Sequence, residues 1–87
     1  MSMVPYNVEV TVKDGEPQEY SISVGALIDW EEAHPNMTYR EWSLKQTIKG
    51  LAYLAYFAAK HSGVVLKPFK DWYPTVSEVR LVPKDDE

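Results

Sequence analysis

Two stretches near the start of the chain alternate apolar and polar residues, the pattern of β-strands with one buried face. Each stretch carries its apolar side chains at every second position, and a short polar segment separates the two. The apolar positions are Tyr6, Val8, Val10 and Val12 in the first stretch and Tyr20, Ile22 and Val24 in the second. The sequence therefore predicts an N-terminal β-hairpin.

The segment between the two strands contains Asp14-Gly15, which is typical of a two-residue hairpin turn. Such a turn would place Val8 opposite Ser21, so that apolar and polar side chains would share one face of the sheet. A loop of three or five residues, or a bulge, instead places valine opposite tyrosine and isoleucine of the second strand. We therefore predict the longer loop.

Helical spacing and capping signals predict three helices after the hairpin. Residues 25–34 form a short first helix that ends before Pro35. Thr38 begins a capping box that opens a long central helix to about His61. Residues 68–73 form a short third helix, with proline at its tolerated first position.

The last part of the chain is ambiguous between two structures. Residues 76–82 carry four apolar side chains whose spacing fits either a helical turn or an extended segment, and both stay open. Residues 83–87 are predicted to be a disordered acidic tail. The chain is therefore predicted to be a single α+β domain over residues 1–82, with a hairpin, a short helix, a long central helix and a short C-terminal helix or extended segment.

The predicted long helix has apolar residues on two faces. At 100° per residue, one stripe is the expected core face and holds Leu44, Ile48, Leu51, Ala55 and Ala58. A second face carries aromatic residues interleaved with lysines, namely Trp42, Tyr53, Tyr56 and Phe57. A helix that is apolar nearly all round must be covered on both sides.

Two interpretations explain what covers the aromatic face. In the first, Phe69, Trp72 and Val76 fold back over it and complete an ordinary core. In the second, part of the face stays open for another protein, since aromatic side chains are enriched at protein interfaces. The chain has three Trp, six Tyr and two Phe, which is a large apolar area for 87 residues to enclose. The candidate protein-binding residues are Trp42, Tyr53, Tyr56, Phe57 and Trp72.

Composition narrows the classes of function. The chain has no cysteine, and its formal net charge of −4 disfavours sequence-independent nucleic-acid binding. Its longest apolar run, residues 51–59, is too short to span a bilayer, so no membrane association is expected. The first residues lack the basic segment and apolar core of a signal peptide, and we expect a cytoplasmic protein.

Few residues are suited to catalysis or to metal binding. His34 and His61 are the only histidines, and neither has a carboxylate or cysteine at ligand spacing. Asp29, Glu31 and Glu32 are interpreted as a solvated helix face. The four glycines are isolated and form no phosphate-binding loop. We therefore predict no catalytic residue, no metal and no cofactor, and expect that the protein is not an enzyme.

The order of these segments resembles a known family. A hairpin leads to Leu27–Glu31 (LIDWE), then to Leu51–Lys60 (LAYLAYFAAK), and then to Phe69–Trp72 (FKDW) followed by Val76 and Val79. This order, over residues 6–80, is similar to the small tail assembly chaperones of long-tailed phages and prophages. Pro74 departs from the family pattern, in which the C-terminal segment is a continuous helix.

The resemblance implies a non-catalytic protein that binds and solubilises the tape measure protein while the tail is built. It implies action in the cytoplasm of the host bacterium, absence from the mature virion, and self-association into a homo-oligomer. In the family, a longer frameshifted product recruits tail-tube subunits. The alternative hypothesis is a structural head–tail or tail-completion protein whose hairpin adds to a neighbour's sheet.

Overall fold

The computed structural model describes residues 6–64 and 66–84, which form a three-stranded antiparallel sheet covered by helices. The predicted α+β class is therefore confirmed. In chain order the elements are β1 (Tyr6–Val12), β2 (Gln18–Ser21), α1 (Val24–Ala33), α2 (Tyr39–Leu44), α3 (Ile48–His61), α4 (Phe69–Trp72), a 3-10 turn (Tyr73–Thr75) and β3 (Val76–Pro83). The strand order is β2-β1-β3, so the first strand is central.

The hairpin has the longer of the two predicted connections. Residues 13–17 link the strands, and Val8 lies opposite Tyr20, as side-chain parity predicted. The backbone amide of Gly15 donates to the carbonyl of Val12 over 3.0 Å, and Asp14 adopts a left-handed φ of 62°. Aspartate tolerates this conformation better than most residues. The connection therefore keeps the valines of β1 and the tyrosine of β2 on one face.

The ambiguous C-terminal segment is a strand. β3 pairs with β1 along its whole length, from Val12 opposite Val76 to Tyr6 opposite Pro83, and a bulge interrupts the register near Ser77. The Ser77 hydroxyl donates to the carbonyl of Thr11 over 3.1 Å at this irregularity. The strand includes Pro83, so the ordered domain extends beyond the predicted boundary at residue 82. Residues 85–87 of the predicted tail lie outside the described residues.

The predicted start of the long central helix is wrong, because two helices occupy residues 38–61 and the long one begins at Ile48. The capping box is confirmed at α2, where Thr38 and Glu41 exchange hydrogen bonds of 3.1 and 2.9 Å. The helix ends at Leu44, and a second cap then opens α3: the Thr47 hydroxyl accepts from the amide of Gly50 over 3.1 Å. Threonine is a favoured N-cap, and this local bond competes with continuation of the preceding helix.

This break changes which side chains reach the core. Ala55 and Ala58 are buried as predicted, and Leu51 is half-buried. Leu44 and Ile48 were predicted on the same core face, yet they are 83% and 87% exposed. A continuous helix would have aligned them with Leu51, but the break separates Leu44 from the helical phase of α3. The predicted core face is therefore wrong at these two positions.

The core lies between the helices and one face of the sheet. α3 contacts all three strands and packs against α1, and the outer face of the sheet is polar. The Trp30 indole nitrogen of α1 donates to the carbonyl of Gly50 in α3 over 2.9 Å, which joins the two helices. The largest fully buried side chains are Trp30, Trp42, Leu54 and Val8.

Candidate protein-binding surface

Most of the predicted protein-binding side chains belong to the core. Trp42, Tyr56 and Trp72 are buried, whereas Tyr53 and Phe57 are half-buried. A buried ring cannot contact a partner without unfolding its surroundings, so the prediction of a binding surface at Trp42, Tyr56 and Trp72 is wrong.

Trp42 is buried against Trp30 and Tyr39. For the other rings the physical reason is that the C-terminal segment folds back, as the first of the two interpretations proposed. The rings of Tyr53 and Phe69 stack with their centroids 3.8 Å apart. The rings of Tyr56 and Trp72 meet edge to face at 5.2 Å. The Tyr56 hydroxyl donates to the carbonyl of Lys67 over 2.7 Å, which satisfies the polar end of a buried ring. The aromatic side chains therefore join α3 to α4.

The histidine and acidic side chains considered for catalysis or metal binding contact other groups of the fold. His34 Nδ1 lies 2.7 Å from the carbonyl of Trp30, and His61 Nε2 lies 2.7 Å from a carboxylate oxygen of Asp29. The Glu31 carboxylate was interpreted as purely solvated, but it accepts from the amide of Tyr39 over 2.9 Å. Within residues 6–64 and 66–84, no group of three or more potential ligands could hold a metal ion.

One open apolar groove lies between the start of α3 and the start of β3, and we call it the α3–β3 groove. Ile48, Ala52 and Tyr73 line its centre. Val76 and Val79 line the part beside the sheet, which has a volume of about 320 Å³. The part beside α4 is bounded by Phe69 and Lys49. Ala52 is small, so a partner backbone could approach α3 closely at this point.

The two most exposed large apolar side chains flank the junction between α2 and α3. Ile48 lines the α3–β3 groove, and Tyr73 opposite is also exposed. Leu44 lies at the end of α2, where it forms a second depression with Met37. Exposed leucine or isoleucine is ordinary when isolated, but grouping beside an open groove is typical of an interaction site.

Sequence reasoning missed this surface because it treated residues 38–61 as one helix. The signal that could have revealed the break is Thr47, a second N-cap residue three positions before Gly50. Its hydroxyl also accepts a hydrogen bond from the Trp42 indole over 3.3 Å. Recognising this cap would have separated Leu44 from the predicted core face and placed Ile48 in the first turn of a new helix.

A smaller depression lies on α1, away from the groove. Its volume is about 220 Å³, and Leu27, Tyr39 and the exposed side chains of Val24 and Ile28 line it together with charged groups. Burial, and then the neighbouring Tyr6, raise the pKa of Tyr39 above its ordinary value of 10.0. This depression is smaller than either part of the α3–β3 groove, so it offers less room to an apolar partner.

Comparison with known proteins does not assign the chain to a family. No family model matches the chain, and it matches no curated protein and no solved structure. Among the described residues, no helix has both the length and the apolar character needed to cross a membrane.

Proposed function

We propose that the chain is a non-catalytic tail assembly chaperone that binds an apolar helical segment of a phage tape measure protein. The observation that carries the proposal is the 87% exposure of Ile48 beside an open apolar groove. A protein that keeps another apolar chain in solution needs such a surface while its own core stays closed. Residues 6–80 provide the family resemblance, and the groove provides a place for the partner.

The apolar lining of the α3–β3 groove favours an amphipathic helix as the partner. Such helices present apolar side chains at intervals of three and four residues, and they bind in apolar grooves through these anchors. Ile48 and Tyr73 supply apolar walls, and Ala52 between them leaves room for an inserted side chain. Leu44, the last residue of α2, would extend the apolar contact.

The expected affinity of one groove is modest. Burial of one large aliphatic side chain contributes roughly 1.5–3 kcal/mol, and association costs several kcal/mol of lost freedom. A chaperone must release its client when the tail tube forms, so weak binding at each of many copies suits this role. The net charge of −4 favours solubility of the complex.

The direct test is co-expression of the chain with the tape measure protein encoded in the same gene cluster. We expect the chain to raise the soluble fraction of that protein and to co-purify with it. Ile48→Asp should abolish both effects while the circular dichroism spectrum stays unchanged. Ile28→Asp is the matched control, because Ile28 is also an exposed isoleucine on a helix but lies on α1, away from the groove.

Three outcomes would contradict the proposal. The first is a gene neighbourhood without a coding region of tape-measure length. The second is equal loss of solubilisation in the Ile48 and Ile28 variants, which would indicate nonspecific apolar contact. The third is stoichiometric recovery of the chain in purified particles, which would favour the structural head–tail or tail-completion role instead.

A further inference from the structure

β3 is an edge strand with one open side. It pairs with β1 on one side, and no other strand of residues 6–64 and 66–84 pairs with it on the other. Every second residue of such a strand presents its backbone amide and carbonyl outward, which is a template for another strand. Stable folds usually protect such edges with charges or bulges, and β3 has both: Glu78 and Arg80 on its outer face and the bulge near Ser77.

The two charges on this edge are opposite in sign and lie two residues apart. The Arg80 side chain is 60% exposed and contacts Glu9 of β1 over 2.8 Å. Glu78 interacts electrostatically with Arg80 of the same strand. A sequence with glutamate and arginine on either side of a central residue is complementary to itself when it pairs antiparallel.

We propose that β3 pairs antiparallel with β3 of a second copy of this chain, with the two-fold axis passing at Val79. This register sets Val79 opposite Val79 of the second copy on the helix-facing side. On the outer face it sets Glu78 opposite Arg80 of the second copy, and symmetry repeats this pair. The proposal does not depend on the proposed function, because it concerns the isolated protein.

Charge and side-chain parity exclude the neighbouring registers. Centring the pair on Glu78 or on Arg80 would place like charges directly opposite each other, which destabilises a sheet. Centring it between two residues would place outward-facing side chains opposite helix-facing ones. Centring it on Leu81 would bring Pro83, which has no amide donor, into the ladder. Over residues 78–80 the Val79 register avoids all three conflicts, and the bulge near Ser77 limits how far the pairing extends.

The helix-facing side of this edge also favours a second copy. Val76 and Val79 line the α3–β3 groove, so apolar surface continues from the strand onto Ile48 and Tyr73. A two-fold axis perpendicular to the joined sheet keeps both helical layers on the same side. The pairing therefore forms a six-stranded sheet and brings two α3–β3 grooves next to each other.

Two charge reversals test the register in the full chain by sedimentation equilibrium. Glu78→Arg gives arginine at both positions, and Arg80→Glu gives glutamate at both, so each variant alone would oppose like charges across the axis. We expect the wild type to dimerise and each variant to dimerise at least about tenfold more weakly. An equimolar mixture of the two variants makes both pairs complementary, so it should form a heterodimer.

A cysteine pair provides an independent measurement. The chain has no native cysteine, so Val79→Cys can form only an intermolecular disulfide. Directly opposite residues of an antiparallel pair have Cα atoms roughly 4.5–5.5 Å apart, within the range that disulfides need. Glu78→Cys is the matched control, since it is more exposed but does not face its own copy in this register. We expect Val79→Cys to cross-link faster than Glu78→Cys.

A monomeric wild type at millimolar concentration would overturn the proposal. So would a mixture of the two charge variants that associates no more tightly than either variant alone. Arg80→Glu also removes the contact with Glu9, so its folding must be checked by circular dichroism. If it does not fold, Glu78→Arg and the cysteine variants decide the proposal: unchanged dimerisation of Glu78→Arg, or faster cross-linking at residue 78 than at residue 79, would overturn it.

Discussion

The indole ring of Trp42 packs directly on the backbone of Gly50, in the space that any other residue would fill with its Cβ. Gly50 lies in the first turn of α3, and Trp42 is buried in α2, so this contact sets how closely the two helices approach. The glycine carbonyl also accepts the Trp30 hydrogen bond. Gly50 is therefore the point at which α1, α2 and α3 meet.

We expect Gly50→Ala to destabilise the protein although alanine favours helices. Better helix propensity would contribute up to about 1 kcal/mol, but overlap with a rigid buried ring costs about 1–3 kcal/mol. The net loss should lower the free energy of unfolding, measured by urea denaturation. In a Trp42→Leu background the same substitution should be neutral or stabilising. Equal effects in the two backgrounds would show that Trp42 is not the cause.

Gly63 should also resist substitution, for a different reason. It has a φ of +96°, and apart from its chain neighbours no atom of the described residues lies within 4 Å of the position of an added Cβ. Gly63→Ala should therefore cost about 1 kcal/mol through backbone strain alone. Gly63→Asn should cost less, because asparagine adopts left-handed conformations more readily. Thermal denaturation of both variants measures this, and equal losses would contradict the conformational explanation.

Within residues 38–61, substitutions of exposed apolar residues should change stability less than substitutions of buried ones. Leu44→Ser and Ile48→Ser should change the free energy of unfolding by no more than about 0.5 kcal/mol, since both side chains contact mainly solvent. Tyr56→Phe removes the hydrogen bond to Lys67 and should cost about 1 kcal/mol. Destabilisation of 2 kcal/mol or more by Ile48→Ser would place that residue in the core.

Tyr39 should make the fold sensitive to alkaline pH. Burial, and then Tyr6, raise the pKa of Tyr39 in the folded protein above 10.0. Above pH 10 the unfolded chain loses this proton before the folded chain does, so the unfolded state binds fewer protons and stability falls as pH rises. Tyr39→Phe should reduce the slope of unfolding free energy against pH above this value. Identical slopes for the variant and the wild type would contradict the assignment.

The sequence predicted the hairpin and its longer loop because their signals are local. The predicted second strand was wrong at its end, because β2 stops at Ser21 and Val24 begins α1. The alternation in β1 and β2 fixes which side chains share a face, and parity alone distinguishes the longer loop from the two-residue turn. β3 could not be assigned because the bulge near Ser77 breaks its alternation. Val76, Val79 and Leu81 all face the helices, and their unequal spacing fits neither a regular strand nor a regular helix.

The binding surface could not be predicted for a related reason. Aromatic side chains suggested an interface, but the number of rings that a fold encloses depends on contacts between distant segments. Phe69 covers Tyr53, and Trp72 covers Tyr56, through pairings that no local pattern specifies. Ile48 keeps the helical phase of Leu51 and Ala55 but lies in the first turn of α3 and is 87% exposed, which periodicity alone does not reveal.

The central position of β1 has a consequence for how the domain forms during synthesis. β1 emerges from the ribosome before the other elements of the described chain, but one of its two neighbours in the sheet is β3, which emerges after the described helices. Pairing of Tyr6 with Pro83 spans the whole described chain, and contacts of such long sequence separation slow folding. The nascent chain therefore carries the helices and an incomplete two-stranded ribbon until its last strand is translated.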